Sequence, residues 1–295
     1  MRPMALRRSW LFVGAADQAA ILASYDSEAD ACIQEFEDFC VPEMREEARR
    51  IMPDVLSDWK ARNIVATVRI NPLEDADGLK DLEAAMRAGA EAILIPKANR
   101  RDQIILLEKH INEFEKRFSR TEGTTAIIPN IEQAQGLVQA SDILSASSQI
   151  VGALVASEDM AVSLNAPRQK NSPILNHVRQ NFHIACCSAG IVSIDMPYTF
   201  TDDEGVTQQT RLARDIGMVS KSTVNAGHCK IINDILSPND SEVEAAREIV
   251  AIFEKAREAG DGQVVHNGTK IELPTYLNAR QVIERHKALS GCPIL

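Results

Sequence analysis

The sequence predicts a (β/α)8 barrel of the TIM type with a C-terminal helical arm, and three observations carry that reading. Short aliphatic or β-branched runs recur, each ending in polar residues, and eight of them can be traced. Each run is followed by a stretch with apolar residues at helical spacing. The β-then-α unit is roughly 25 to 35 residues long, so eight units fill the roughly 250 residues usual for this barrel. A doubly wound sheet of the nucleotide-binding kind needs a glycine-rich phosphate turn after its first strand. The segment GAAD at Gly14 to Asp17 is not that turn.

In chain order, strands are expected at 9–14, 31–37, 63–70, 92–96, 125–131, 150–156, 190–194 and 217–220, where the apolar runs lie. Between the third and fourth, DADGLKDLEAAMRAGA places Leu79, Leu82, Ala85 and Met86 three and four apart, one face of a helix. RDQIILLEKHINEFEKRF follows the fourth strand, its alternating charges suited to a solvated outer face, and EQAQGLVQASDIL follows the fifth. Barrel and site therefore occupy 1–238. The remainder, 239–295, reads as two helices around a hairpin-like VVHNGTKIELP, more chain than an eighth barrel helix requires. Two roles stay open for it: a packed cap, or an arm that reaches an active site in a neighbouring subunit.

Composition excludes several classes. Asp and Glu outnumber Lys and Arg by 42 to 32 with no basic block, which speaks against nucleic acid as a partner. The six cysteines, Cys32, Cys40, Cys186, Cys187, Cys229 and Cys292, form no C-x-x-C pair and no zinc spacing, as expected of reduced thiols in a cytoplasmic protein. The apolar stretch near the N-terminus is too brief for a signal sequence, and no run approaches the ~18 apolar residues of a membrane span.

Chemistry in this barrel sits at the C-terminal ends of the strands. Those ends are acidic here: Glu35, Glu37 and Asp38 after the second strand, Glu132 after the fifth, Glu158 and Asp159 after the sixth, Asp195 after the seventh. Arg69, with Asn71, ends the third and Lys97 the fourth. Carboxylates converging on one rim repel unless cations compensate, which points to Arg69, Lys97 and a divalent metal. One or two carboxylates with retained waters is how Mg2+ is usually held. Competing readings stand beside these. Asp159 is either a ligand or the N-cap of the helix that MAVSL begins; Arg69 is a substrate clamp or a structural ion pair; Lys97 is a Schiff-base lysine or a cation supporting the acids. Glutamate caps poorly, so Glu132 leans toward function. The six histidines show no metal-ligand spacing.

Nine segments in register resemble the citrate lyase β-subunit family of the HpcH/HpaI aldolase/citrate lyase superfamily, with its malyl-CoA and citramalyl-CoA lyase relatives. They are RRSWLFVGAAD, EADACIQEFEDFCVPEMREEAR, VRINPLEDADGLKDL, AILIPKA, NIEQAQGL, VASEDMAVSL, DEGVTQQTRLARDIGMVSKS, INDILSP and NGTKIELP. The resemblance implies a homotrimeric or homohexameric barrel that binds Mg2+ through Glu132 and Asp159 and breaks a carbon–carbon bond by way of an enolate. Its substrate would be a small oxo acid or acyl-CoA, with Arg69 clamping a carboxylate. Lys97, Ser157 and Asp195 complete the expected substrate contacts, and Glu37 and Asp38 join Arg69 in the expected catalytic set. Glu272 occupies the position of the family's arm aspartate, a general acid supplied to an adjacent subunit.

Departures mark where the substrate is expected to differ. The family's V-P-G is Val13-Gly14-Ala15, its D-L-E-D begins with Glu35, its G-A-E-D is Ala156-Ser157-Glu158-Asp159, and its G-K-x-x-I-H-P-x-Q has become SKSTVNAGHCK. Two further functions stay in play. One is an aldolase acting on free pyruvate or oxaloacetate without CoA, although the G-E-H element of that branch is missing. The other is a non-catalytic metabolite-binding homologue.

Overall fold

A computed structural model describes residues 2–259, 264–266 and 268–291. Eight parallel strands close on themselves in sequence order: β1 (Ser9–Gly14), β2 (Ala31–Glu35), β3 (Val65–Arg69), β4 (Ala92–Ile95), β5 (Ala126–Ile131), β6 (Gly152–Val155), β7 (Val192–Tyr198) and β8 (Ser220–Thr223). The ring is sealed by β1 pairing with β8, Ser9 against Lys221. Outside it run α1 (Gln18–Tyr25), α2 (Arg45–Ala61), α3 (Gly78–Ala88), α4 (Arg101–Arg117), α5 (Ala134–Val138), α6 (Ala140–Leu144), α7 (Glu158–Ser163), α8 (Pro173–Ala189), α9 (Asp203–Asp215) and α10 (His228–Leu236).

Both faces of the sheet are dry, and side-chain alternation decides which residue serves which face. Trp10, Phe12, Ala31, Ile33, Val65, Leu94, Ile128, Leu154 and Ile194 fill the barrel interior. Their neighbours Leu11, Val13, Cys32, Ala66, Ile93, Ile127, Ala153 and Val155 pack outward with buried helix residues such as Met52, Trp59, Leu82, Met86, Ile104 and Phe182. This parity matters at the rim, because a residue two or four positions beyond an interior side chain also points inward.

Five strands begin later than the sequence suggests, β5 by one residue, β3, β6 and β7 by two and β8 by three, and glycines set the last two. Gly190 takes a φ of 70°, the left-handed cap of α8, so β7 cannot start before Val192. Gly217, with φ 99°, closes α9, and β8 is the polar Ser220–Thr223 instead of 217–220. Its inward serine is satisfied within the barrel: Trp10 Nε1 donates to Ser220 Oγ at 2.9 Å, and that hydroxyl donates to the Arg7 carbonyl at 2.6 Å. A bulge between Asp195 and Tyr198 breaks the β7–β8 register. The EQAQGLVQASDIL stretch is broken into α5 and α6.

The chain divides into two compact units, Met1–Leu236 and Ser237–Leu295. The second contains α11 (Asp240–Glu258), a hairpin of β9 (Val264–His266) and β10 (Thr269–Ile271), and α12 (Leu273–Ser290). Its helices are joined by Phe253 stacked on Tyr276, ring centroids 4.6 Å apart, and by Tyr276 Oη donating to Glu254 at 2.9 Å. No helix among the described residues is long and apolar enough to cross a membrane. The five described cysteines are free thiols; Cys292 lies outside the described residues.

Candidate active site

A pocket of about 310 Å³ opens at the C-terminal rim, lined by Phe12, Asp38, Phe39, Arg69, Glu132, Leu154, Ala156, Ser157, Glu158, Asp159, Pro197, Thr199 and Val224. Five of the residues expected at the site meet in its wall: Asp38, Arg69, Glu132, Ser157 and Asp159. Parity explains the first convergence. Glu35 stands two positions beyond Ile33, Arg69 four beyond Val65, and Glu132 four beyond Ile128, so all three continue interior rows.

Arg69 organises the rim. The residue is 4% exposed. Nε donates to Glu35 Oε1 at 2.8 Å and Nη2 to Asp38 Oδ2 at 2.9 Å. Nη1 lies 3.3 Å from Glu37 and 3.6 Å from Glu132, with the Phe12 ring 5.2 Å away. Burial opposes the charge, and the surrounding carboxylates outweigh it, so the group stays protonated well above its ordinary range. Glu35 is fixed in turn by the backbone N–H groups of Glu37 and Phe39 at 2.7 and 2.6 Å.

Glu132 is fully buried. Lys97 N donates to its Oε1 and Asn130 Nδ2 to its Oε2, each at 2.6 Å. Burial pushes its carboxyl up to about 8; Arg69 opposes that shift, while Glu37 and Asp159 add to it. Lys97 adopts a φ of 47°, in the left-handed region that non-glycine residues seldom occupy, and this turn aims its N–H at Glu132. Its ammonium donates to Glu37. Burial lowers Lys97, but Glu37 more than offsets it and holds the amine above its ordinary value. A Schiff-base lysine needs the reverse shift, so the direction favours the supporting cation of the two roles weighed for Lys97. Glu37 is itself pushed up by burial, against the pull of Arg69 and Lys97.

Asp159 sits inside the first turn of α7, whose N-cap is Ser157, and so is not the cap. Among the described residues no hydrogen bond or ion pair ties its carboxylate. Five carboxylates, Glu35, Glu37, Asp38, Glu132 and Asp159, thus face two cations, Arg69 and Lys97. No group of three His, Cys, Asp or Glu side chains among the described residues is arranged to enclose a metal. Glu132 and Asp159 nonetheless suit Mg2+, which takes one or two carboxylates and keeps waters: one is a buried acid short of positive charge, the other a carboxylate facing the pocket without a partner.

Two expected residues lie elsewhere. Asp195 is a correction: Ile194 points into the barrel, so Asp195 points out to α8, where Arg179 Nε and Lys221 Nζ each reach it at 2.6 Å. It is 0% exposed and does not line the pocket. Glu272 belongs to the second unit, exposed at the start of α12 and 3.2 Å from Lys270. Sequence reasoning missed Phe12 beneath Arg69 and Asn130 beside Glu132. Asn130, two positions before Glu132 on the same face, was open to detection by parity. It also missed the wall formed by Ser157 Oγ donating to the Pro197 carbonyl at 3.3 Å, Thr199 donating to Glu158, and Arg168 on Glu158 at 3.0 Å.

The profile of the HpcH/HpaI aldolase/citrate lyase family matches residues 8–226. The citrate lyase subunit beta of Escherichia coli is 32% identical across 97% of this chain and 94% of its own length. A (3S)-malyl-CoA thioesterase of Cereibacter sphaeroides is 27% identical, covering 96% of either chain. In fold, the CitE protein of Mycobacterium tuberculosis, solved with magnesium, acetoacetate and coenzyme A, superposes with a TM-score of 0.76 at 24% identity, over 95% of this chain and 98% of that one. With the barrel, the rim and these likenesses in agreement, the chain belongs to the HpcH/HpaI aldolase/citrate lyase family.

Proposed function

We propose that this protein is a Mg2+-dependent carbon–carbon lyase that cleaves a hydroxy-acid thioester of the citramalyl-CoA or malyl-CoA type, or a related hydroxy-oxo acid, by way of an enolate. The observation that carries the reading is the Asp159 carboxylate, without a hydrogen bond or ion pair among the described residues, lining one pocket with buried Glu132 and Arg69. The E. coli and M. tuberculosis relatives, by name and by bound ligands, support the same chemistry.

Glu132 and Asp159 would hold the metal, which when bound supplies Lewis-acid polarisation of the substrate's oxygens. Arg69 keeps N–H groups on Nη1 for a substrate carboxylate while Glu35 and Asp38 fix the guanidinium plane, a preorganised fork. Asp38, half-exposed in the pocket wall, takes the hydroxyl proton as the carbon–carbon bond breaks. The bonding electrons move toward the acyl carbonyl, and the resulting carbanion centre takes a proton from an acid. Glu272 is proposed for that role, delivered to a neighbouring subunit's pocket in a homotrimer or homohexamer. Glu37 and Lys97 hold the charge balance behind the pocket, and the cytoplasm is the expected compartment.

The test is product analysis with citramalyl-CoA, malyl-CoA and simple hydroxy-oxo acids, with and without EDTA. Release of an oxo acid that stops on chelation and in Asp159→Ala is expected. Turnover that survives both, or thioester hydrolysis with no carbon–carbon cleavage, would overturn the proposal.

A further inference from the structure

Beside its acids and Arg69, the rim pocket has an apolar side. Phe12 and Leu154 belong to the cluster that fills the barrel, and Val224 packs against that cluster, so these three form the base of the pocket. Phe39 carries the apolar surface up the wall: its ring meets Phe12 edge to face, centroids 6.3 Å apart, and the Phe12 ring lies in turn 5.2 Å from the Arg69 guanidinium. Phe39 is 48% exposed, which by itself is ordinary for a protein surface; the way it is held is not. Glu35 Oε2 accepts its N–H at 2.6 Å and Oε1 the N–H of Glu37 at 2.7 Å, so one buried carboxylate pins this segment and also fixes Arg69. Gly14 clears the other side. A Cβ there would stand 3.0 Å from the Phe39 carbonyl oxygen and 3.6 Å from the Phe39 Cβ, the first tighter than ordinary contact. Gly14 and Glu35 are both positions at which the chain departs from the family's pattern, and both act on the segment that carries Phe39.

We infer that Phe39 determines specificity: with Phe12 and Val224 it receives an alkyl group on the carbon that bears both the hydroxyl and the Arg69-bound carboxylate. The oxo acid released is then a 2-oxo acid with an alkyl substituent, and not glyoxylate. The inference rests on the reading of the rim pocket as an oxo-acid site with Arg69 as its carboxylate clamp. Connectivity supplies the reach, because that substituent sits on the carbon next to the carboxylate, and the apolar side begins at the ring that lies against the same guanidinium. An alkyl group gains there by displacing water from aromatic surface, whereas a hydrogen atom leaves Phe39 wet.

Calorimetry on the Mg2+-loaded full chain tests it by comparing pyruvate with glyoxylate, which differ by one methyl group, in the wild type and in Phe39→Ala. Hydration of the glyoxylate aldehyde is common to both proteins and cancels from the comparison. Burying one such group is worth about 0.8 kcal/mol, or roughly fourfold in Kd. Phe39→Ala should therefore weaken pyruvate about fourfold and hold glyoxylate within about twofold, and Phe39→Leu, which restores an apolar side chain, should recover the loss. Equal weakening of both acids, no change in either, or a loss that leucine does not recover would overturn the role of Phe39. Should Phe39→Ala fail to fold, Gly14→Ala tests the same wall from behind, since its Cβ must displace the Phe39 backbone by a few tenths of an ångström. The ratio of the two affinities should then change, and an unchanged ratio would count against the inference. All these readouts are of binding, so absence of lyase turnover leaves them standing. A wild type that binds neither acid would refute the rim-pocket reading and this inference together.

Discussion

Replacing Asp195 with Asn should cost stability before it costs chemistry. The carboxylate is fully buried and receives Arg179 and Lys221 at 2.6 Å each. An amide can accept from one of these cations only by turning its own N–H groups toward the other, leaving two buried positive charges without a counter-ion. Breaking a buried pair by removing one partner costs about 3–5 kcal/mol, a large part of the roughly 5–15 kcal/mol that holds a domain folded. With a urea m-value near 3 kcal/mol/M, the midpoint should fall by about 1 to 1.7 M. The pH dependence has a definite sign. Arg179 and Lys221 hold the Asp195 carboxyl below the usual carboxylate value despite its burial. Its contribution is therefore complete above the unfolded value of about 4 and is lost as pH falls through the lower folded value. Wild type and variant should differ by a constant amount from pH 5 to 7 and converge in stronger acid. An unchanged midpoint with abolished turnover would refute this account and return Asp195 to the substrate.

Three further outcomes are expected. Asn130→Ala removes the amide that orients Glu132 at 2.6 Å, and Mg2+ affinity measured by calorimetry should weaken about 10- to 100-fold, as when partners that orient metal ligands are lost elsewhere. Arg69→Lys keeps the charge but not the fork that spans Glu35 and Asp38; kcat/KM should drop about 10- to 100-fold, the equivalent of one charged hydrogen bond. Gly78→Ala would set a Cβ 2.1 Å from the Pro72 carbonyl oxygen and 2.9 Å from that of Asn71, both backbone atoms. The loop must move, and a loss of about 1–3 kcal/mol should appear as a lower melting temperature.

The barrel was legible because its strands are buried on both faces and so stand out as apolar runs. β8 was expected three residues early, at 217–220, for the converse reason: its inward face is Ser220 and Ser222, and Ser220 and its partner Trp10 are joined by a hydrogen bond that leaves no apolar signature. Glu132 and Arg69 were found as strand-end polar residues, and alternation alone would have separated them from Asp195, since Ile194 already occupies the inward position; Asp38 lies past the end of β2, where alternation no longer applies. Asp159 lies past its strand on a helix, where parity gives no guidance, and only the folded chain shows that Ser157, not Asp159, is the cap. Arg179 was invisible as the partner of Asp195: it meets that carboxylate from the middle of α8, and nothing local announces a charge that serves another element.

The left-handed turn at Lys97 separates two tasks within one residue. The backbone N–H holds Glu132 and the side chain faces Glu37, so the part of the residue that positions Glu132 does not depend on which side chain is present. Substitution at 97 can retune the electrostatics of the pocket while Glu132 keeps its orientation, and glycine there would relieve the turn. A barrel built this way can change the charge around its pocket through this position without first releasing the buried carboxylate at its rim.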